Sequence, residues 1–380
     1  MTVVAGRHVV TPDGVLDGWL RVEGGCIAEL GHGPAPAADA MLDAGEGWVL
    51  PGFVDLHCHG GDGASIYAGT REDVVAVARG HLAAGTTAMF ASVATMPAEA
   101  MRQAVRRIVE VVRSGEAPSI VGVHLEGPFL SPLRRGAQNG SALRRPDAAL
   151  LEELLADAED LPVIMTIAPE LDGAVELIAA FADRVLFALG HSDADVVQAA
   201  AAFDAGARLV THAFNAMPPL DHRRPGLLGA ALVDQRVRIE LIADGHHLHD
   251  AVLRFAATAV GPERAALVTD ASAAAGLADG DHSFPDRLVS VRGSRVTLRG
   301  TDTLAGSALR LAHAHARVRG LGIDPLAAGQ LASGTAAALV GLHDRGALRV
   351  GARADVVLLD QELRVQTVVH AGAVVPRSSR

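Results

Sequence analysis

The feature that most constrains this chain is an alternation. Eight apolar runs of β character fall at residues 52–57, 86–93, 120–126, 163–168, 185–191, 208–212, 238–243 and 266–270. Most are separated by stretches of helical period, such as 72–84, 98–113, 147–158, 171–182 and 195–205. Strands alternating with helices build a parallel sheet, and eight such units predict an α/β fold, a (β/α)8 TIM-like barrel. The rival architecture, a doubly wound open sheet, would need a glycine fingerprint after a strand to cradle a phosphate, and none follows a strand here. No internal repeat of fixed period is present.

The two ends of the chain have a different texture. Residues 1 to about 50 read as short strands, with Gly24-Gly25 suited to a hairpin turn and a Pro/Ala/Gly loop from Gly31 to Ala38. Strand-like runs return at 348–360 and 363–375. The expectation is a small β-sandwich domain built from residues 1–50 and 345–380, beside a barrel of residues 51–344.

Composition narrows the function classes. Aromatic residues make up only 3% of the chain and its net charge is −11, which argues against a nucleic-acid partner. No run of eighteen apolar residues occurs, and the first residues lack a signal-peptide layout, so a soluble cytoplasmic protein is expected, with no membrane partner. Two cysteines, Cys26 and Cys58, are too few for a disulfide framework.

In a barrel of this type the chemistry gathers where strands finish. The first run leads into His57-Cys58-His59, the third ends in His124-Leu125-Glu126, and the fifth and sixth end at His191 and His212. The seventh leads into Asp244-Gly245-His246-His247, and the eighth ends in Thr269-Asp270. A period of two places His57 and His59 on one face, the beginning of a divalent metal site, although H-x-H alone fits a pair of satisfied polar histidines equally well. Two ligand sets can be drawn: His57, His59 and Glu126; and Glu126, His191 and His212, with the Glu126 carboxylate bridging. Zinc is the first expectation for one or two such ions, and iron, manganese or cobalt would accept the same donors. The chain contains no lysine, which leaves Glu126 as the bridging group.

Asp270 is placed to act as general acid and base beside that site, with an N-cap role as its bland alternative. Arg223 and Arg224 follow in a loop rich in proline and glycine, and their guanidinium forks suit a phosphate or carboxylate, or form a solvated charge pair. An imidazole at His247 could reach the same anion, whereas His246 and His249 read equally as surface histidines.

Taken together, several stretches carry a resemblance: PGFVDLHCHG at 51–60, HLEGPFLS at 124–131, GHSDA at 190–194, THAFNAMPPL at 211–220, IADGHH at 242–247, LVTDA at 267–271, LAGSAL at 304–309 and GARADVVLLD at 351–360. The chain resembles the N-acetylglucosamine-6-phosphate deacetylase family of the amidohydrolase superfamily. The resemblance implies hydrolysis of the acetamide of an amino-sugar phosphate to acetate and glucosamine 6-phosphate, with Asp270 as the acid/base. It implies Glu126, His191 and His212 as metal ligands, with His57 and His59 the additional pair in members that bind two metals. It also implies sugar or acyl contacts at Ala137, Gln138, Asn215, Ala216, Leu304, Ala305 and Gly306, and phosphate contacts at Arg223 and His247. In that family the arginine crosses a subunit interface, so a homodimer is implied.

Two departures stand out. Family members commonly carry a histidine where this chain has Gln138, within RRGAQNG at 134–140. A glutamine amide can donate to a carbonyl but carries no charge, so substrate preference is affected more than reaction type. SGTAAALVGL at 333–342 lacks the proline-arginine often found there, with a helix-packing consequence expected. Alternative readings are a deacetylase of another N-acetyl hexosamine phosphate, an N-acyl-D-amino-acid deacylase, and a non-catalytic scaffold, the last expected to have lost ligands that this chain retains. The strand-like residues within 271–300 read as a hairpin excursion of open role.

Overall fold

The structure, a computed structural model, describes residues 1–376. The apolar runs pair as a parallel sheet whose strands keep chain order: Phe53–Cys58, Thr86–Val93, Ile120–Glu126, Val163–Ile167, Val185–Leu189, Leu209–Val210, Arg238–Ile242 and Ala265–Val268. The eighth strand returns to the first. The Asp270 N–H donates to the His57 carbonyl at 2.8 Å, and Cys58 bridges Ala271. Behind that seam the Asp55 carboxylate accepts from the Thr269 N–H at 3.1 Å and its hydroxyl at 2.6 Å, so the ring is closed.

The strands run apolar without alternation because both faces are covered. Every residue of Thr86–Val93 is buried, one side filling the barrel and the other meeting helices. The helices Arg71–Ala83, Ala98–Arg113, Ala148–Ala158, Ala174–Phe181, Val196–Ala205, Gly226–Val233, Asp250–Ala259 and Leu311–Gly320 follow the eight strands in turn. In Ala98–Arg113 the buried residues Met101, Ala104, Val105 and Ile108 recur at helical spacing, and Arg102 and Arg106 on the outer face pair with Asp157. Helix starts are marked in sequence: Thr70 with Asp73, and Asp195 with Gln198, form capping boxes.

Some expected boundaries move. The sixth run, expected over 208–212, pairs only at Leu209–Val210, and the fifth, expected to reach 191, ends at Leu189. In both cases the chain leaves extended geometry to aim an imidazole: His191 has φ 48° and His212 φ 30°. The first strand ends at Cys58, so His59 stands one residue past it. The fourth helix begins at Ala174 rather than 171, because Gly173 before it is left-handed (φ 84°).

A second sheet joins both ends of the chain. Its order is Ala373–Val374, Val365–His370, Val356–Leu359, Trp48–Pro51, Thr2–Thr11, Gly14–Glu23 and Cys26–His32, with Ala40–Asp43 also paired to Thr2–Thr11. The hairpin turn falls at Gly24-Gly25, both at positive φ. The irregular stretch before Val356–Leu359 closes against the far edge strand, where the Ile27 N–H donates to the Ala352 carbonyl at 2.8 Å. The sheet's inner face encloses a core of its own, including Val4, Leu20, Ile27, Val49, Val356 and Val369. Residues 348–355, expected as strand, are instead irregular, yet Leu348, Ala352 and Ala354 still pack into that core. The last four residues of the expected 345–380 segment lie outside the described residues.

The excursion after the eighth strand is a three-stranded antiparallel sheet, Gly280–Ser283, Leu288–Arg292 and Arg295–Leu298. It has a small core of Ala274, Val289, Val291, Val296 and Ala305 and lies over the carboxyl-terminal mouth of the barrel. No helix among the described residues is long and apolar enough to cross a membrane.

Candidate active site

Glu126, at the end of the third strand, is the hub of the mouth. Its Oε1 lies 3.0 Å from His191 Nε2, 3.2 Å from His212 Nε2 and 3.5 Å from His57 Nε2. Its Oε2 lies 3.2 Å from His59 Nε2. The carboxylate therefore sets Oε1 among His191, His212 and His57 and Oε2 beside His59, so its two oxygens reach both pairs of imidazoles. The Nε2 atoms of His57 and His59 are 3.0 Å apart, and those of His191 and His212 3.1 Å apart. Nitrogen lone pairs that converge this closely, all buried, fit a shared cation better than they fit one another. Two groups at the mouth can each hold an ion: Glu126, His191 and His212; and His57, His59 and Asp270. This donor set supports a divalent metal.

The groups behind these side chains hold them in place. His57 Nδ1 lies 3.2 Å from Glu240 Oε2, and the same oxygen accepts the His212 N–H at 3.0 Å. His191 Nδ1 lies 2.9 Å from the Arg134 carbonyl. Such contacts fix the tautomer so that Nε2 faces the site. Burial lowers the His57 and His212 imidazoles below their ordinary value and so keeps them neutral, the form that ligates. Burial alone would raise Glu126, but His57 and the contacts from His191, His212 and His59 outweigh it and hold the carboxyl well below its usual range. His124 is not part of the cluster: it is buried between Ser92 Oγ at 2.9 Å and Thr166 Oγ1 at 2.8 Å.

Asp270 Oδ1 stands 3.5 Å from both His57 Nε2 and His59 Nε2. Burial, and then the carboxylates of Glu126, Glu240, Asp244 and Asp55, push its carboxyl well above the ordinary range. It also sits at φ 46°, in the left-handed region shared by His191 and His212. Backbone strain of about 1–3 kcal/mol at each such residue is tolerated where the surroundings impose it, commonly at functional sites. Gly306 answers a related demand: it has φ 67°, and a Cβ there would meet the Asp270 carbonyl at 2.8 Å.

Glu126, His59, His191, His212 and Asp270 open onto a cavity of about 360 Å³, within the usual range for small-molecule sites, with His57 buried behind them. Its wall includes Ala137, Gln138, Asn215, Ala216, His247, Leu304, Ala305 and Gly306, so every residue expected to contact substrate is there except Arg223. Arg223 and Arg224 are exposed on their loop, outside the cavity. His247 is held by Asp244 Oδ2, 2.7 Å from Nδ1, whereas His246 points to Ser294 and His249 caps the helix that follows it. Gln138 accepts the Thr95 N–H at 2.9 Å on Oε1 and directs its amide nitrogen at Glu126 Oε2.

Sequence reasoning missed several groups. Glu240 lies inside an apolar strand run, and that lone buried carboxylate was its only signal. Tyr67, Phe284, Asp286, Arg287 and Val289 also line the cavity, the last four from the sheet over the mouth. Nothing in a short polar turn such as Phe284-Pro285-Asp286-Arg287 announces where it will fold.

A model of the amidohydrolase family matches residues 48–375. The chain is 34% identical over 374 residues to the N-acetylgalactosamine-6-phosphate deacetylase of Escherichia coli O157:H7, covering 96% of this chain and 97% of that protein. It is 33% identical over 374 residues to the N-acetylglucosamine-6-phosphate deacetylase of Bacillus subtilis (strain 168), covering 96% and 94%. Its fold matches, with a TM-score of 0.93, a mutant N-acetyl-D-glucosamine-6-phosphate deacetylase of Mycobacterium smegmatis in complex with N-acetyl-D-glucosamine-6-phosphate, at 37% identity over 98% of this chain and 99% of that one. Matched over nearly its whole length by the family model and by these relatives, the chain belongs to the amidohydrolase family, in the branch that holds these amino-sugar phosphate deacetylases.

Proposed function

We propose that this protein hydrolyses the acetamide of N-acetylglucosamine 6-phosphate, releasing acetate and glucosamine 6-phosphate, in amino-sugar catabolism or the recycling of cell-wall sugars. One observation carries the reading: Glu126, four imidazoles and Asp270 converge on a single cavity in a chain similar throughout to deacetylases of this class.

Glu126, His191 and His212 would hold one divalent ion and His57 and His59 a second, with zinc the first choice and iron, manganese or cobalt fitting the same donors. An ion held there would polarise the amide carbonyl and make water a stronger nucleophile. Asp270 would take the proton of the attacking water at Oδ1 and deliver it to the amine nitrogen as the C–N bond breaks. The sugar would lie against Asn215, Ala216, Leu304, Ala305 and Gly306, with Ala137 and Gln138 on the acyl side and His247 toward the phosphate. The exposed Arg223 would serve the neighbouring active site of a cytoplasmic homodimer. In each subunit, residues 1–50 and 345–380 would form a small β unit beside the barrel of 51–344.

A second reading, deacetylation of the galacto epimer's phosphate, is favoured by the 34% identity to a deacetylase of that name. Acetate release by the purified protein from both sugar phosphates, and from unphosphorylated N-acetylglucosamine, decides among the readings. The proposal expects the gluco phosphate to be used best and the sugar without phosphate poorly. Faster turnover of the galacto phosphate would move the assignment to the epimer. No turnover of any of the three by metal-loaded protein would reject both in favour of an acyl-amino-acid substrate.

A further inference from the structure

The wall of the cavity carries four carboxylates, those of Glu126, Asp270, Asp286 and Asp302, and a single guanidinium, that of Arg287. No other arginine of this chain lines it among the described residues. A phosphate monoester bound in this cavity is stabilised by a permanent positive charge on its wall.

Arg287 is held ready for such a contact. Its Nε donates to Asp286 Oδ2, the same oxygen that accepts the Tyr67 hydroxyl. Its guanidinium carbon lies 6.0 Å from the centroid of the Tyr67 ring, and its side chain is only 21% exposed. Neither Nη1 nor Nη2 makes a hydrogen bond to protein among the described residues, which leaves both free to donate side by side. A planar fork with two free N–H edges matches the oxygens of a phosphate monoester. The Tyr67 ring in turn meets His59 edge-on, with centroids 5.6 Å apart. The Tyr67 ring therefore separates this cation from His59.

We propose that Arg287 is a specificity-determining residue that binds the phosphate of the substrate from within the same subunit. This rests on the reading of the protein as a sugar-phosphate deacetylase. The sheet over the mouth then does more than cover the site, because it places the cation on the cavity wall.

The test compares wild type with Arg287→Ala, Arg287→Gln and Arg287→Lys, after circular dichroism and metal content show equivalent protein. The Gln variant keeps the bulk over Tyr67, so it answers the question if the Ala variant fails to fold. Loss of a charge-assisted contact lowers binding by about 10- to 100-fold. The ratio of kcat/KM for phosphorylated over unphosphorylated sugar is expected to fall by that factor in the Gln and Ala variants, mainly through KM, and to recover in part with Lys. Calorimetric affinity for glucosamine 6-phosphate should fall in parallel. An unchanged ratio, or equal losses on both sugars, would overturn the proposal and leave Arg287 a packing residue. Should wild type turn over no sugar phosphate, the functional reading fails separately. Calorimetry with inorganic phosphate then decides on Arg287 alone: binding lost in the Gln variant sustains an anion site, and no difference removes it.

Discussion

Glu240 Oε2 sits 3.2 Å from His57 Nδ1 and 3.0 Å from the backbone nitrogen of His212, so one buried carboxylate braces a residue from each candidate metal group. Burial pushes its carboxyl up to about 7. A carboxylate behind a ligating imidazole fixes its tautomer and raises its basicity, and removing such a partner commonly costs about 10- to 100-fold in metal affinity. Glu240→Gln is accordingly expected to weaken metal binding by that factor, measured by competition with a chelating dye. Unaltered affinity would show that Glu240 is only a filler of the barrel.

Gln138 does two things: it takes the Thr95 N–H and approaches Glu126. Truncation leaves a buried N–H without a partner and frees one side of the hub carboxylate. Gln138→Ala should lower kcat/KM by about 10- to 100-fold, in line with the cost of an unsatisfied buried group. Steady-state kinetics with N-acetylglucosamine 6-phosphate checks this, and wild-type values would mean that the amide is not needed.

Metal removal should separate folding from chemistry. The barrel core is a continuous apolar cluster that owes nothing to an ion, so chelator-treated protein is expected to retain its far-ultraviolet circular dichroism. It should lose acetate release, regain it when a divalent ion is added back, and melt at a lower temperature without the ion, since a ligand bound only to the folded state stabilises it. Collapse of the secondary structure on chelation would contradict this division.

Away from the site, Asp147 caps the helix Ala148–Ala158 through the backbone nitrogens of Ala149 and Leu150. The Leu150 N–H in particular holds its carboxyl below the ordinary value of 3.8. A depressed carboxyl stabilises the fold above its unfolded value and loses that contribution as pH falls through the folded one. Asp147→Ala should cost about 1 kcal/mol at neutral pH. The gap to wild type should narrow once pH drops below 3.8. Urea titrations across that range test the sign, and a gap that widened toward acid would refute it.

Much of this arrangement was legible because strand ends carry the chemistry in a parallel barrel. The run IVGVHLE can end only at the mouth, so Glu126 had to face the site, and the same logic placed His191, His212 and Asp270. What was not legible depends on long-range partners. Glu240 looks like an interruption until His57 is seen beside it, some 183 residues away in sequence. Tyr67 and Asp286 are 219 residues apart, and neither has a local pattern that predicts the other. The short sixth strand was misjudged because apolar periodicity does not register the point where the backbone turns left-handed at His212.

The most direct test of the central claim is acetate release from N-acetylglucosamine 6-phosphate by wild type and Asp270→Asn, with bound metal quantified in both. Asparagine keeps the shape of the side chain and cannot carry the proton. The account predicts that the variant folds and still binds metal through Glu126, His191 and His212, yet loses about 10²- to 10⁴-fold in kcat, the range for removal of a general acid/base. A variant with full metal content and near wild-type turnover would contradict the role given to Asp270 and the mechanism built on it.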